Sequence, residues 1–489
     1  MAQQSQKTTN KSSFPILISV FFFWGFVAAS NTILIPIFKK HFTLLQWQSQ
    51  MVDFAFYTAY FVGSLVYFLI SYFKGDPLGK IGYKKGLILG LIISAIGALS
   101  FVPAASAQSF YLMLASLFIV GLGFALQQIV ANPYVIALGS AATGSHRVSL
   151  AGGINSFGTM IGPLLLSIAI FGSLTLAPGT EVALDAVKMP YTILCIAFLL
   201  FALLLGISKL PPITHHEHVE RSMGAFKYPQ LIFGMLAIFV YVGVEVTIQS
   251  NLPELMRQTN MLGLDNTKTV HFISLYWGSL MIGRWTGAIT VFNLSKIKRK
   301  VMTIIVPLLA YGTILAVNYI KLNAANDLEK MNDLYAYFPF ILILILGFLM
   351  ANEKPARTML LFSTMAGIMM IIGLLTTGKV AIYSFISGGL FCSVMWPCIF
   401  SLSIAGLGKF TTQGSSMLIM MILGGAIIPP LQGYISDLVS IHSSYIIPVI
   451  CFAYLAFYGW KSKQVLQKQD IDYDANVSEG VEVAGAELQ

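Results

Sequence analysis

Three ionisable side chains stand where such groups are rare. Asp53, Glu245 and Arg284 each lie within a long apolar run, with no other charge within eight residues on either side. A charge in the middle of a bilayer costs at least about 2.5–3.5 kcal/mol, so residues of this kind face a cavity, a pathway or a partner. The chemistry open to them is limited. Glu245 can pair with Arg284 and tie two helices, accept hydrogen bonds from a ligand, or carry a proton. Arg284 can complete that pair or contact the ligand itself. Asp53, near the end of its run, is either a wet interfacial carboxylate or a second site for a coupling proton.

The elements that hold these groups must be membrane helices. Fourteen apolar runs fill almost the whole chain, and the stretch 86–145 contains no Asp, Glu, Lys, Arg or His. About 20 apolar residues are needed to cross the hydrocarbon core, and backbone polar groups there must be satisfied within the segment. Apolar residues make up 56% and charged residues 10% of the 489 residues, against about 25% charged in soluble domains. The net charge of +9 comes from basic residues at run ends, which argues against nucleic-acid binding. Cys195, Cys392, Cys398 and Cys451 all lie in apolar runs without zinc-type spacing, and read as packing thiols. The first run spans and lacks a small-residue cleavage site, so no cleavable signal peptide is expected.

The expected spans are 14–38, 51–73, 86–104, 108–138, 149–173, 190–208, 228–252, 269–292, 301–320, 337–352, 358–377, 380–405, 411–436 and 443–460. If the N-terminus is cytoplasmic and the chain alternates, 20 of the 29 Lys and Arg fall on the cytoplasmic side, eight fall outside, and Arg284 is within a span. That bias places both termini in the cytoplasm.

The chain divides at a basic connection, residues 209–227. The segment 1–208 is expected to form a six-helix bundle, 228–462 a second bundle, and 463–489 a disordered acidic tail. An internal repeat supports the division. Pro133 and Pro163 in the first half answer to Pro397 and Pro430 in the second, in the same order and at similar separation. Duplicated bundles with interruptions at matching places describe a secondary transporter with its site between the halves near the midplane.

At these residues the chain resembles a known family. The stretches FWGF (23–26), NTILIP (31–36), ANPY (131–134), NSFG (155–158), GVEVTI (243–248), SLYWGSLMIGR (274–284), IFSL (399–402), the GLG at 406–408 and GGAIIPPLQG (424–433) are similar to those of the major facilitator superfamily. Within it they resemble the fucose:proton symporter family, and more closely its glucose/galactose transporter branch. The resemblance implies an all-α fold of two six-helix bundles, a monosaccharide substrate and a multi-pass protein of the cell (inner) membrane, expected to be monomeric. The sequence departs from the family twice. Residues 300–356 hold two extra apolar runs, expected to form an inserted transmembrane hairpin. Thr32 stands where the fucose symporters have a first-span Asp, and Gln128 where they have a Glu. Gln at the second position matches the glucose/galactose branch.

Sugar recognition calls for amides and carboxylates that pair with hydroxyls, and aromatic faces for the C–H side of the ring. The first half offers Asn31, Gln127, Gln128, Asn132 and Asn155. The second offers Glu245, Gln249, Asn251, Tyr276 and Trp277. Gln128 and Asn132 share one helical face, as do Glu245 and Gln249. The competing reading for such amides is interhelical hydrogen bonding in the bundle core. Trp24 and Trp396 are core, lipid-facing or ligand-stacking aromatics. His215, His216 and His218 read as part of a solvated linker rather than a metal site.

No phosphate-binding loop, metal-ligand helix or nucleophile elbow is present, so neither ATP drive, a resident cofactor nor enzymatic catalysis is expected. The function expected is import of a hexose or related monosaccharide by alternating access, coupled to H+ or Na+ through Glu245 or Asp53. The alternatives are a sugar uniporter and an exporter of another small organic solute.

Overall fold

The computed structural model describes residues 14–44, 51–139, 143–171, 184–210, 224–264, 269–292 and 294–471. Every long element is a helix. The first half contains α1 (Phe14–His41), α2 (Met51–Lys74), α3 (Tyr83–Ser106), α4 (Phe110–Ala137), α5 (Gly144–Phe171) and α6 (Lys188–Ile207). The second contains α7 (Pro229–Arg257), α8 (Val270–Gly287), α9 (Lys296–Ala324), α10 (Phe338–Ala351), α11 (Pro355–Leu375), α12 (Gly378–Cys392), α13 (Met395–Ile404), α14 (Thr411–Met420), α15 (Gly424–Leu438) and α16 (Ile446–Gln467). Among the described residues, 11 helices are long and apolar enough to cross a membrane.

Local sequence sets the ends. Pro229 and Pro355 open α7 and α11, where a missing N–H costs nothing. Ser295 caps α9 by accepting from the Lys298 amide. Two apolar runs are split. α12 and α13 are separated by Ser393 and Val394, just before Pro397, and α14 and α15 by the 3-10 turn Met421–Leu423. The matching first-half prolines do not split their helices, since Pro133 lies inside α4 and 163 inside α5.

The packing repeats. In the first half α1 lies on α5, α2 on α4, α3 on α4, and α3 on α6. In the second half α7 lies on α15, α8 on α12, α11 on α12, and α11 on α16. The correspondence holds once α9 and α10 are set aside. These two helices lie beside α8 and α11 respectively. Across the halves, α5 meets α8, and α2 and α4 meet α14.

The α9–α10 pair is held at both ends. Asp333, in the short helix Met331–Tyr335 between them, accepts from His271 of α8 at 3.1 Å and Lys379 of α12 at 2.8 Å. Tyr383 donates to the Asp333 carbonyl at 2.8 Å. At the other end Arg299 pairs with Glu353 at 2.7 Å.

Five hydrogen bonds that join the halves sit toward one end of the bundle. Tyr83 meets Thr412, Ser415 meets the Ile129 carbonyl, His146 the Gly287 carbonyl, Trp285 the Gly153 carbonyl, and Arg284 meets Ser156. This is the end where the connection between the halves departs and returns, and it is called the linker end below.

Candidate functional site

Arg284 on α8 is the centre of the polar core. Its guanidinium donates to Glu245 Oε1 at 3.2 Å and to the Tyr241 hydroxyl at 3.3 Å, both on α7. It also donates to Ser156 Oγ on α5 at 2.7 Å and to the Ser393 carbonyl at 3.3 Å. Arg284 and Glu245 are each 12% exposed, so neither charge is sealed from solvent or ligand. The helix-tying pair is therefore formed, and it is also accessible. A guanidinium suits this position because its planar fork satisfies several acceptors at once.

Proline explains one of these contacts. Pro397 has no N–H to give the carbonyl four residues before it, and that carbonyl belongs to Ser393, which accepts from Arg284. Pro133 likewise leaves the Ile129 carbonyl free, and Ser415 donates to it across the halves at 2.8 Å. Each of these two repeated prolines thus supplies an acceptor for a polar contact between helices.

The first-half amides separate into two groups. Gln128 is half-buried and donates to the Tyr60 hydroxyl of α2 at 3.2 Å. Asn132, one turn on, donates to the Gln128 carbonyl at 2.9 Å, and its buried Oδ1 has no partner among the described residues. Asn155 is half-buried beside Ser156 and donates to the Phe21 carbonyl at 3.0 Å. Gln127 is different. It is fully buried, accepts from Trp24 at 3.0 Å and donates to Ser94 at 3.0 Å, tying α1 and α3 to α4. It points away from the face of Gln128 because adjacent helical residues diverge.

In the second half Tyr276 is buried and donates to the Glu245 carbonyl at 2.6 Å, which fixes α8 against α7. Gln249 and Trp277 are half-buried. Asn251 donates back to the Thr247 carbonyl at 3.0 Å. The side chains of Asn31, Thr32 and Asp53 lie outside the described residues, as do His215, His216 and His218. The four cysteines are free and buried. Sequence reasoning missed Tyr60, Tyr241, Ser156 and Ser393. Tyr241 carried a usable signal, because it sits four residues before Glu245 and so on the same helical face.

Arg284 thus faces Ser156 across the boundary between halves, with Glu245 held on its other nitrogen. The arrangement can bind a neutral, hydroxyl-rich ligand through charged and amide groups, and can change partners when the halves part. Among the described residues no group of His, Cys, Asp and Glu suited to a metal is present.

The model of the Major Facilitator Superfamily matches residues 15–328. The chain is 35% identical over 446 residues to the glucose/galactose transporter of Brucella abortus (biovar 1, strain 9-941), covering 91% of this chain and 92% of that one. It is 26% identical over 469 residues to the L-fucose-proton symporter of Escherichia coli (strain K12), covering 91% and 92%. A crystal structure of the transporter FucP in the outward conformation superposes with a TM-score of 0.69 at 25% identity, covering 92% of this chain and 98% of that one.

Proposed function

Because the chain belongs to the major facilitator superfamily, we propose that it is a secondary active transporter that imports a monosaccharide by alternating access. The relatives named for glucose/galactose and for L-fucose support a hexose or fucose-like substrate. The observation that carries the reading is the Glu245–Arg284–Ser156 chain of contacts, a charged, accessible pair inside the apolar bundle that bridges its halves.

In this reading all fourteen runs cross the membrane as two bundles of six with the α9–α10 hairpin inserted, and the protein works as a monomer. The linker end and both termini are cytoplasmic, in keeping with the distribution of Lys and Arg. Because the contacts between halves cluster at that end, the state described faces outward. Gln128, Asn132 and Asn155 hold the sugar from the first half, with Asn31 as a fourth candidate. Glu245, Gln249 and Trp277 hold it from the second. Tyr276 and Gln127 shape the site from behind. Glu245 is the first candidate for a coupling proton and Asp53 the second.

A uniport reading has two observations behind it. Glu245 is already paired with Arg284, and Thr32 replaces the family's first-span acid. Uptake of labelled hexose into proteoliposomes, with pH and sodium gradients imposed separately, decides between them. Accumulation above the external concentration is expected with one gradient. Equilibration alone under both would establish uniport, and no saturable sugar uptake under any condition would overturn the assignment.

A further inference from the structure

The start of α9 carries more positive charge than the fold uses. Lys296, Lys298, Arg299 and Lys300 fall within one and a half turns. The Arg299–Glu353 pair at 2.7 Å brings Lys354 and Arg357, at the start of α11, to the same place. Six cations therefore share the base of the hairpin with one carboxylate, and Arg299 already holds that carboxylate. Lys296, Lys298, Lys300 and Arg357 are exposed and Lys354 half-buried, and the side chains of these five meet no carboxylate among the described residues.

The apolar surface continues from this charge. Ile297 is 78% exposed, and Val301, Ile304, Ile305 and Leu308 follow it outward along α9 at helical spacing, all exposed. A row of apolar side chains beginning at a cluster of cations has the pattern of a phospholipid: phosphate at the end, acyl chain along the helix.

From this juxtaposition we infer that the linker-end base of the α9–α10 hairpin is a binding surface for anionic phospholipid. The phosphodiester lies among Lys296, Lys298, Lys300, Lys354 and Arg357, and one acyl chain runs along Ile297, Val301 and Ile305. Basic clusters immediately beside a membrane helix attract anionic headgroups by charge, and each Lys or Arg adds to the effect. The hairpin's anchorage to α8 and α12 through Asp333 makes that lipid a fixed part of the second half.

The inference uses the membrane placement proposed above but not the transport activity. Native mass spectrometry of the full chain in detergent micelles, titrated with phosphatidylglycerol or with phosphatidylcholine of the same acyl chains, tests it without orientation or transport. Retention of phosphatidylglycerol over phosphatidylcholine is expected, lowered roughly tenfold or more when Lys296→Gln, Lys298→Gln and Lys300→Gln are combined. Lys463→Gln with Lys468→Gln, a cationic pair on α16 and just past its end, should leave retention unchanged. Equal retention of the two lipids by the unaltered chain would overturn the inference. So would undiminished retention by the triple variant, or displacement of the lipid by millimolar inorganic phosphate. If the triple variant is not monodisperse, Lys298→Gln with Arg357→Gln replaces it, and a reduction is again required.

Discussion

Arg284 reaches Ser156 on the opposite half at 2.7 Å while its other terminal nitrogen holds Glu245 at 3.2 Å. One guanidinium thus takes part both in the contact that closes the linker end and in the charge balance of the core. Any change in the charge of Glu245 alters the partner of the group that joins the halves.

Glu245→Gln keeps hydrogen-bonding capacity and removes the charge. If Glu245 carries the coupling proton, uphill accumulation in proteoliposomes should be abolished while sugar exchange persists. Accumulation at the level of the unaltered protein would remove Glu245 from coupling and leave Asp53 or uniport. A parallel loss of both activities would make it a ligand or pairing residue only.

Ser156→Ala deletes a hydrogen bond to a charged donor, worth about 1.5–3 kcal/mol. The closed linker end should weaken by that amount, and the population facing outward should fall. Spin labels at Asp185 and Glu254, exposed residues of the first and second halves, would report it. An added shorter distance is expected in the variant, and an unchanged distribution would show that Ser156 does not hold the halves together.

Gln128→Ala removes a half-buried amide that Tyr60 positions. A lost sugar hydroxyl partner costs about 1–3 kcal/mol, so the Kd should rise roughly 5- to 150-fold. Isothermal titration on folded protein is the check, and an unchanged Kd would make Gln128 a packing residue.

Ser415→Ala leaves the Ile129 carbonyl without its donor and should destabilise the protein by about 1–3 kcal/mol, read as a lower Tm. Adding Pro133→Ala restores the N–H that α4 lacks, and most of the loss should be recovered. Additive destabilisation by the two changes would show that the carbonyl is satisfied in some other way.

A cysteine at Asn326, in the turn after α9, should react with a membrane-impermeant thiol reagent in intact cells, whereas one at Lys354 should be protected. The opposite pattern would invert the proposed topology.

The helices were readable because lipid imposes an apolar run on each crossing, and the two additional runs between 300 and 356 stood out as extra length. The ends were read less well. The eighth run suggested one span to 292, whereas α8 stops at Gly287 and a 3-10 turn, Ile289–Val291, carries the chain on. The charged core was legible for the opposite reason, since Glu245 and Arg284 are conspicuous against Leu and Ile. Tyr241, Ser156 and Ser393 were not, because hydroxyls and carbonyls occur throughout apolar runs and leave no trace in composition. Gln127 and Gln128 look alike in the sequence. Only the helix phase sends one to Trp24 and Ser94 and the other to Tyr60.

Asp333 makes the two halves mechanically unequal. By tying His271 and Lys379 to the turn between α9 and α10, it adds two helices of lipid contact to one rigid body and none to the other. Viscous drag in a bilayer grows with the perimeter a body presents. In the membrane placement proposed above, the second half therefore moves against more lipid than the first whenever the two part.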